Sequence, residues 1–488
     1  MSTSVNNLKN IKKYTFSNAY SILLLGVFVL SGLKLNAQTV VHSLQELKPY
    51  LDDNGVNVKM KPGVYTITAQ DVKNGLYTQE TKIKNISKVL LLFEGNNSTY
   101  DFSGVTINVD TKVFQAFGNF QVYEIQIIGN HNVLKNLTLV DQGSVHDNPT
   151  RRANNIVMDG AHNRVEGFNV TTKGSFPYGY GDAFGKGGKF VIPHQKHSAC
   201  LVRGESNHLK NSKFTHRSYG HCIFMQAANN PIIEGCYVEG EVRKTDAILK
   251  ETSGPAFDVD FMTVWGYRLP KGYMLSTGEA GIRAYDGGET IIDGQVYKRG
   301  TSNVTVLNCT VKNMRTGVTI AHATGKKRVE GCVAIGCENG FSLGSGDLVN
   351  CKADVTHGPA YASTYERDKA YHADITLLPS KEPYYNGSGN VAYIGGSKHR
   401  ITFRGSSEAL EKGLKIKVGG DKNNIRLLHG NLPNQNDFKG FDFEIHNLTQ
   451  YPVVLSDKSS SVTGKSVGKI KDSGTNNKVK AIKLLSKE

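Results

Sequence analysis

The sequence predicts an all-β fold, a parallel β-helix, and three observations carry that reading. A short hinged strand motif recurs seven times, its hinges lie about one coil apart, and four cysteines share one slot of it. The motif reads apolar, any, Asn or Gly, apolar or small, any, apolar. Its copies are Leu134-Asn136-Leu137-Leu139, Val165-Gly167-Phe168-Val170, Leu209-Asn211-Ser212-Phe214, Ile233-Gly235-Cys236-Val238, Val306-Asn308-Cys309-Val311, Val329-Gly331-Cys332-Ala334 and Leu348-Asn350-Cys351-Ala353. Asn and Gly tolerate positive φ at low steric cost. Each copy therefore reads as strand, one-residue left-handed bend, strand, with alternate apolar residues facing inward.

The intervals between hinges set the coil. Asn211 to Gly235 is 24 residues, Asn308 to Gly331 is 23 and Gly331 to Asn350 is 19. About 20–25 residues with three short strands is one rung of a solenoid. Longer intervals mark insertions. The 44 residues from Gly167 to Asn211 place an insertion at about 174–198, and the 73 from Gly235 to Asn308 predict another coil or two plus an excursion at about 254–299.

The remaining elements follow in chain order. Lys9, Lys12 and Lys13, the apolar run Ile22 to Leu30 and the small residue Ala37 form the charged, apolar, small order of a secretory signal peptide over residues 1–37. The run is too short for a comfortable membrane span. The expected mature chain, 38–488, is thus exported, periplasmic or secreted, as a single domain. Ser43 opens an amphipathic stretch (Leu44, Leu47, Leu51) suited to a helical cap over the first coil, whose open edge needs a lid. Val56 to Met60 and Lys61 to Tyr65 read as first strand and turn. Short strands are expected at Asn390 to Ile394, Ile401 to Arg404 and Ile425 to Leu428. A tail rich in Ser, Lys, Gly and Asn from about Asp457 is expected to be the loosest part.

Composition bounds the function. The 488 residues carry 58 Lys+Arg against 43 Asp+Glu, a formal charge of +15, with 52 Gly, 13 Pro and 39% apolar residues. That excludes a disordered tail, a collagen and a polytopic membrane protein. The positive field favours anionic partners, and export demotes nucleic acid in favour of an extracellular polyanion. The expected partner is an anionic glycan, with no nucleic acid, no stable membrane insertion and a monomeric chain. The seven cysteines lack zinc-site spacing. Cys236, Cys309, Cys332 and Cys351 fill the slot held by Leu137 and Phe168 in earlier coils, so they read as reduced packing residues.

Chemistry in a solenoid belongs to outward side chains and inserted loops. Alignment on the hinge places Lys173, Arg217 and Glu241 in one outward column, with Tyr219 and Arg243 two residues further on. Around them lie Tyr178, Tyr180, Lys186, Lys196, His197, His216 and His221. Cations, phenols and imidazoles with few carboxylates suit β-elimination on a uronic acid. The carboxylate must be neutralised, a base must take the C5 proton and an acid must meet the leaving oxygen. The catalytic candidates are Lys196, His197, Tyr178, Tyr180, His216 and His221. The substrate-binding candidates are Lys173, Lys186, Arg217, Tyr219, Arg243, Trp265, Arg283 and Tyr285. Trp265 either stacks on a sugar or pins the excursion to the solenoid.

With the coil repeat, the loop Tyr178-Gly179-Tyr180-Gly181 to Lys186, His216-Arg217 and Tyr219-Gly220-His221, the chain resembles the pectin-lyase-like right-handed parallel β-helix proteins over about residues 40 to 400. The resemblance implies a polysaccharide lyase acting on alginate, pectate, glycosaminoglycan or ulvan. Ulvan-pathway oligosaccharide dehydratases, in which water is the leaving group, are a further likeness. The paired-Asp motifs of β-helix polygalacturonases are missing: the sole Asp-Asp pair, Asp52-Asp53, lies in the cap. No cofactor or metal is assigned. Some lyases of this architecture use calcium, for which Asp246, Glu251, Asp258 and Asp260 are the available oxygen ligands, in no defined loop. The expectation is a carbon–oxygen lyase forming a 4,5-unsaturated uronate by chain cleavage or by dehydration. A glycoside hydrolase using Asp246, Asp258 or Asp260 and a non-catalytic glycan-binding solenoid are the alternatives.

Overall fold

All seven hinge residues have positive φ in the computed structural model: 62° at Asn136, 69° at Gly167, 48° at Asn211, 62° at Gly235, 52° at Asn308, 62° at Gly331 and 51° at Asn350. The structure describes residues 37–80, 87–143, 152–186, 189–380, 386–405, 413–420 and 438–483. The strands flanking each hinge stack in register on those of the next coil. Val165 pairs with Leu209, Leu209 with Ile233, Ile233 with Val306 and Val306 with Val329. Among the described residues, these strands belong to one 24-stranded sheet, and a 14-stranded sheet closes the solenoid on the other side. Thr39–Glu488 is one compact unit.

The hinge geometry explains the alternation of Asn and Gly. A Cβ added at Gly167 would sit 2.5 Å from Asn136 Oδ1 in the coil below. A second side chain has no room there. Gly167→Ala should therefore cost about 1–3 kcal/mol, combining positive-φ strain with that clash. A urea midpoint unchanged from the native chain would contradict this.

The 14-stranded sheet sets the frame for the site. Its inward column runs Leu91, Ile125, Ile156, Cys200, Ile223, Ile282, Val318 and Phe341. One residue later in each strand, the outward column runs Leu92, Gln126, Val157, Leu201, Phe224, Arg283 and Thr319. From these residues onward the two faces alternate, whereas nearer the strand starts the outward residues stand three apart, as Val89 and Leu92 or Tyr123 and Gln126 do. All seven cysteines are buried and free. Cys309, Cys332 and Cys351 each donate to a carbonyl of the coil below, at 3.6–3.7 Å.

The long interval contains no extra coil. Ile232–Glu234 pairs directly with Thr305–Leu307 and Tyr237–Glu239 with Thr310–Lys312, so 235–308 is one rung with two insertions. The first insertion starts before residue 254. Strands Val242–Lys244 and Met274–Ser276 pair at its base, and helices Thr245–Ile248 and Pro255–Asp258 follow the first of them. Strand Ala280–Ala284 then returns to the 14-stranded sheet, inside the span expected to be excursion. The second insertion is the hairpin Glu289–Ile292 with Gln295–Lys298. The 174–198 insertion ends at Lys196, where strand Lys196–Val202 begins.

Helix Leu44–Leu47, N-capped by the Ser43 hydroxyl, and the 3-10 turn Lys48–Leu51 bury Leu44, Leu47 and Leu51 as a cap. The tail does not loosen at Asp457. Ser459–Ser466, Ile470–Asp472 and Lys478–Ala481 continue both sheets. The expected 1–37 leader and the strand at 425–428 lie outside the described residues, Ala37 aside. Among the described residues, no helix is long and apolar enough to cross a membrane.

Candidate active site

The outward face of the 14-stranded sheet floors a cleft of about 600 Å³ lined by Tyr123, Gln126, Arg152, Asn154, Lys196, Arg203, His221, Glu279, Arg283, Tyr285 and Arg315, among others, with the 289–298 hairpin along one wall. An apolar strip formed by Val89, Leu92, Tyr123, Val157, Leu201 and Phe224 lies beneath it. The polar groups sit where strands begin or where an insertion rejoins the sheet. Lys196 opens its strand, and Glu279 ends the first insertion one residue before strand Ala280–Ala284.

Four side chains form one connected chain across this floor. Lys196 Nζ contacts Glu279 Oε1 at 2.8 Å, and Glu279 Oε2 lies 3.4 Å from His221 Nε2. His221 Nε2 lies 2.6 Å from the Tyr285 hydroxyl. The backbone N–H of Ala280 donates to His221 Nδ1 at 3.1 Å, which leaves the ring proton on Nε2. His221 thus donates to the Tyr285 oxygen, and the phenolic proton of Tyr285 is free to point elsewhere. Arg283 lies 4.4 Å from the centre of the Tyr285 ring.

Electrostatics fixes the charge of each member. Burial would push Glu279 up, yet Lys196, Arg315 and Arg283 pull its carboxyl down to about 2, so it stays ionised. Burial, then Arg283, Lys196 and Arg315, hold the His221 imidazole well below its ordinary value and so neutral. Burial, reinforced by Glu279 and opposed by Arg283 and Arg315, raises the Tyr285 phenol to about 12. Behind the floor, Arg315 is ion-paired with Asp182 at 2.9 Å, both side chains only 3% exposed, and Asp182 accepts from the Tyr219 hydroxyl at 2.9 Å.

Of the residues singled out in the sequence, Lys196, His221, Arg283 and Tyr285 line this cleft. The others are placed elsewhere. Arg217 donates to the carbonyls of His216, Glu239 and Gly240, and Arg243 pairs with Glu251 at 2.6 Å while donating to the Gly179 carbonyl. Tyr219 is buried beneath Lys196, whose ammonium lies 4.8 Å from the ring centre. Tyr178 bonds Glu241 and Thr277, and Tyr180 bonds Glu251. Trp265 packs on the small core of the first insertion with Tyr180, Phe184 and Ile248. Lys173 is exposed, and the Lys186 side chain lies outside the described ones. Lys173, Arg217, Tyr219 and Arg243 therefore do not form the expected pocket. The hinge aligns the 24-stranded sheet, whereas the cleft lies on the other one.

His197 and His216 are 1% exposed. His216 Nε2 donates to the Gly220 carbonyl at 3.0 Å, and His399 Nε2 donates to the Gly395 carbonyl at 3.0 Å. The Nδ1 atom of each of these two donors is buried with no partner, so a second proton finds no acceptor. Burial lowers both to about 4. The unfolded chain therefore binds more protons below about pH 6.5, and stability falls with pH between about 6.5 and 4. Each group should cost about 2 kcal/mol at pH 5 relative to pH 7. Urea midpoints equal at pH 7 and pH 5 would contradict this.

The acids named for hydrolysis or calcium do not converge. Asp260 faces Arg268, Glu251 faces Arg243 and Asp246 accepts from the Gly272 N–H, all in the first insertion and none lining the cleft. Within the cleft, Glu279 cannot act as a proton donor because it is held ionised. The residues that sequence reasoning missed are Glu279, Arg315, Arg203, Asn154 and Gln126. A second repeat, in which the outward column (Gln126, Val157, Leu201) stands three residues after a polar or aromatic side chain (Tyr123, Asn154, Ser198), was the signal that could have found Asn154 and Gln126.

Residues 189–355 match the family model described as a right handed beta helix region. The chain carries a right-handed β-helix. No curated protein matches the chain. Solved structures similar to this β-helix include a PL6 family polysaccharide lyase from Pseudopedobacter saltans, at 10% identity, covering 92% of this chain and 94% of that one, TM-score 0.43. An alginate lyase in complex with G6 is similar at 12% identity, 90% and 88% coverage and TM-score 0.41. The A-module of a mannuronan C-5 epimerase from Azotobacter vinelandii is similar at 9% identity, 92% and 97% coverage and TM-score 0.39.

Proposed function

We propose that this β-helix protein is an exported carbon–oxygen lyase that acts by β-elimination on a uronic acid residue of an anionic glycan. The observation that carries the reading is the Lys196–Glu279–His221–Tyr285 chain in a cleft lined by Arg152, Arg203 and Arg283. Cations there neutralise a uronate carboxylate and so stabilise the charge that develops when C5 loses its proton. Arg283, beside Tyr285, is placed to clamp that carboxylate with its planar fork.

Elimination over the other chemistries follows from the charge states. His221 has both ring nitrogens engaged and Glu279 is a weak base at its depressed pKa. Lys196 is the remaining base, its side chain 32% exposed at the cleft, and the reaction requires it as the free amine rather than as the ammonium paired with Glu279 in the resting site. In its free-amine form it takes the proton on C5. The C5–H electrons form the C4–C5 double bond, the C4–O4 bond breaks, and Tyr285 delivers its proton to O4. His221 Nε2–H then supports the phenolate until water reprotonates it. The products are a 4,5-unsaturated uronate and either a shortened glycan or water.

Mass analysis of saturated uronate oligosaccharides after incubation distinguishes the two leaving groups. Shorter chains with one unsaturated end indicate cleavage, and loss of water at constant length indicates dehydration. Intact oligosaccharide retained on the protein in a salt-sensitive way would leave only a glycan-binding solenoid.

A further inference from the structure

The corner between the two sheets encloses a second cluster that the elimination reading does not use. Glu124, Asp141 and His197 are each at most 1% exposed, and one donor atom from each lies within 4.8 Å of the other two. They come from three strands: Gln121–Ile127, Thr138–Gln142 and Lys196–Val202. Asn155 Nδ2 donates to Glu124 Oε2 at 2.9 Å and to Asp141 Oδ2 at 3.0 Å, while the Thr172 hydroxyl donates to Asn155 Oδ1. The Lys173 N–H also donates to Asp141 Oδ2, at 2.8 Å. One oxygen of each carboxylate is thereby satisfied.

The facing atoms are not. Glu124 Oε1, Asp141 Oδ1 and His197 Nε2 are buried without a hydrogen-bond partner. His197 Nδ1 bonds the Lys173 carbonyl, so that nitrogen carries the ring proton and Nε2 presents a lone pair. It faces Glu124 Oε1 at 3.5 Å. The unpartnered atoms of Glu124 and His197 thus face one another, Asp141 offers an oxygen within the same 4.8 Å, and the Phe114 ring stands edge-on to His197 at 4.8 Å. With both carboxylates ionised beside a neutral imidazole, two negative charges would lie unpaired in the core, which is strongly unfavourable. A single shared proton bridges two of the three atoms and leaves the third bare. A divalent cation meets all three and cancels both charges.

We propose that Glu124, Asp141 and His197 form a structural metal site for a first-row divalent cation such as zinc or manganese. The imidazole nitrogen argues against calcium and magnesium, which prefer all-oxygen shells. The Asn155 amide bonds are the outer contacts that orient both carboxylates. The site ties the two sheets together where the chain crosses between them.

Elemental analysis of the full-length protein, purified without chelator or affinity metal, should find about one equivalent of such a cation per chain, as expected for a closed structural site. Refolding with zinc chloride or manganese chloride should raise the thermal midpoint over refolding with a chelator. Anomalous diffraction at the metal edge should place one peak between the three side chains. Glu124→Gln should lower the bound metal about tenfold or more. Should that variant fail to fold, the metal content of the native chain and its refolding response still decide. Native protein with less than about a tenth of an equivalent and no midpoint response to either salt would overturn the site and leave a shared proton as its occupant. Metal bound with the anomalous peak elsewhere would overturn it equally.

Discussion

Lys196→Arg is expected to lower kcat about 10³-fold on a uronate oligosaccharide with little change in KM. Arginine keeps the positive charge and can still reach Glu279, 2.8 Å from the lysine nitrogen. It cannot shed a proton at any working pH. The substitution therefore separates the two roles a cation can play in this cleft. If Lys196 serves only to neutralise the uronate, the arginine variant should retain most of its turnover. If it takes the proton on C5, only the free-amine form works and the arginine variant is inactive though folded. Tyr285→Phe should give a loss of about 10²–10⁴-fold, since the donor to O4 is gone while the Arg283 clamp remains. A Lys196→Arg variant with more than about a tenth of native kcat would remove Lys196 as the base.

The largest effect on stability is expected at Arg315. Its guanidinium, 3% exposed, lies 2.9 Å from Asp182 and acts on Glu279 and Glu338 as well. Arg315→Leu leaves Asp182 and Glu279 as buried charges without their shared cation. Removing one partner of a buried pair typically costs about 3–5 kcal/mol, far more than deleting an exposed one. The carboxylate should respond too. Without Arg315, Glu279 loses one of the three cations that hold it down, so its pKa should rise. Adding Asp182→Leu should recover much of the loss, because the uncompensated charge is then gone, and a double-mutant cycle measures that coupling. An Arg315→Leu variant as stable as the native chain toward urea would contradict the network.

The fold was legible because its rule is local and repeated. An Asn or Gly every coil, with apolar residues two before and three after it, states both the bend and the inward face, and all seven such positions adopt positive φ. The single rung between Gly235 and Asn308 was not legible. Strand Ala280–Ala284, with Gly281 and Arg283 at two of its five positions, lacks the hinge and reads as loop. The candidate site was legible in part for a related reason. Lys196, His221, Arg283 and Tyr285 stand beside strand starts or ends and were noticed as chemistry-bearing residues. Of their partners, Glu279 reaches them only through an insertion whose length no periodicity constrains, and Arg315 stands one residue before strand Thr316–Thr319 in a rung of ordinary length. Extending the hinge column outward led to Arg217 and Arg243, whose guanidinium groups are engaged by backbone carbonyls and Glu251.

The direct test is the ultraviolet absorbance of a conjugated double bond as purified protein meets saturated uronate oligosaccharides. The account predicts a steady rise with the native chain and none with folded Lys196→Arg. New reducing ends without any such absorbance, or native and variant curves that coincide, would contradict it.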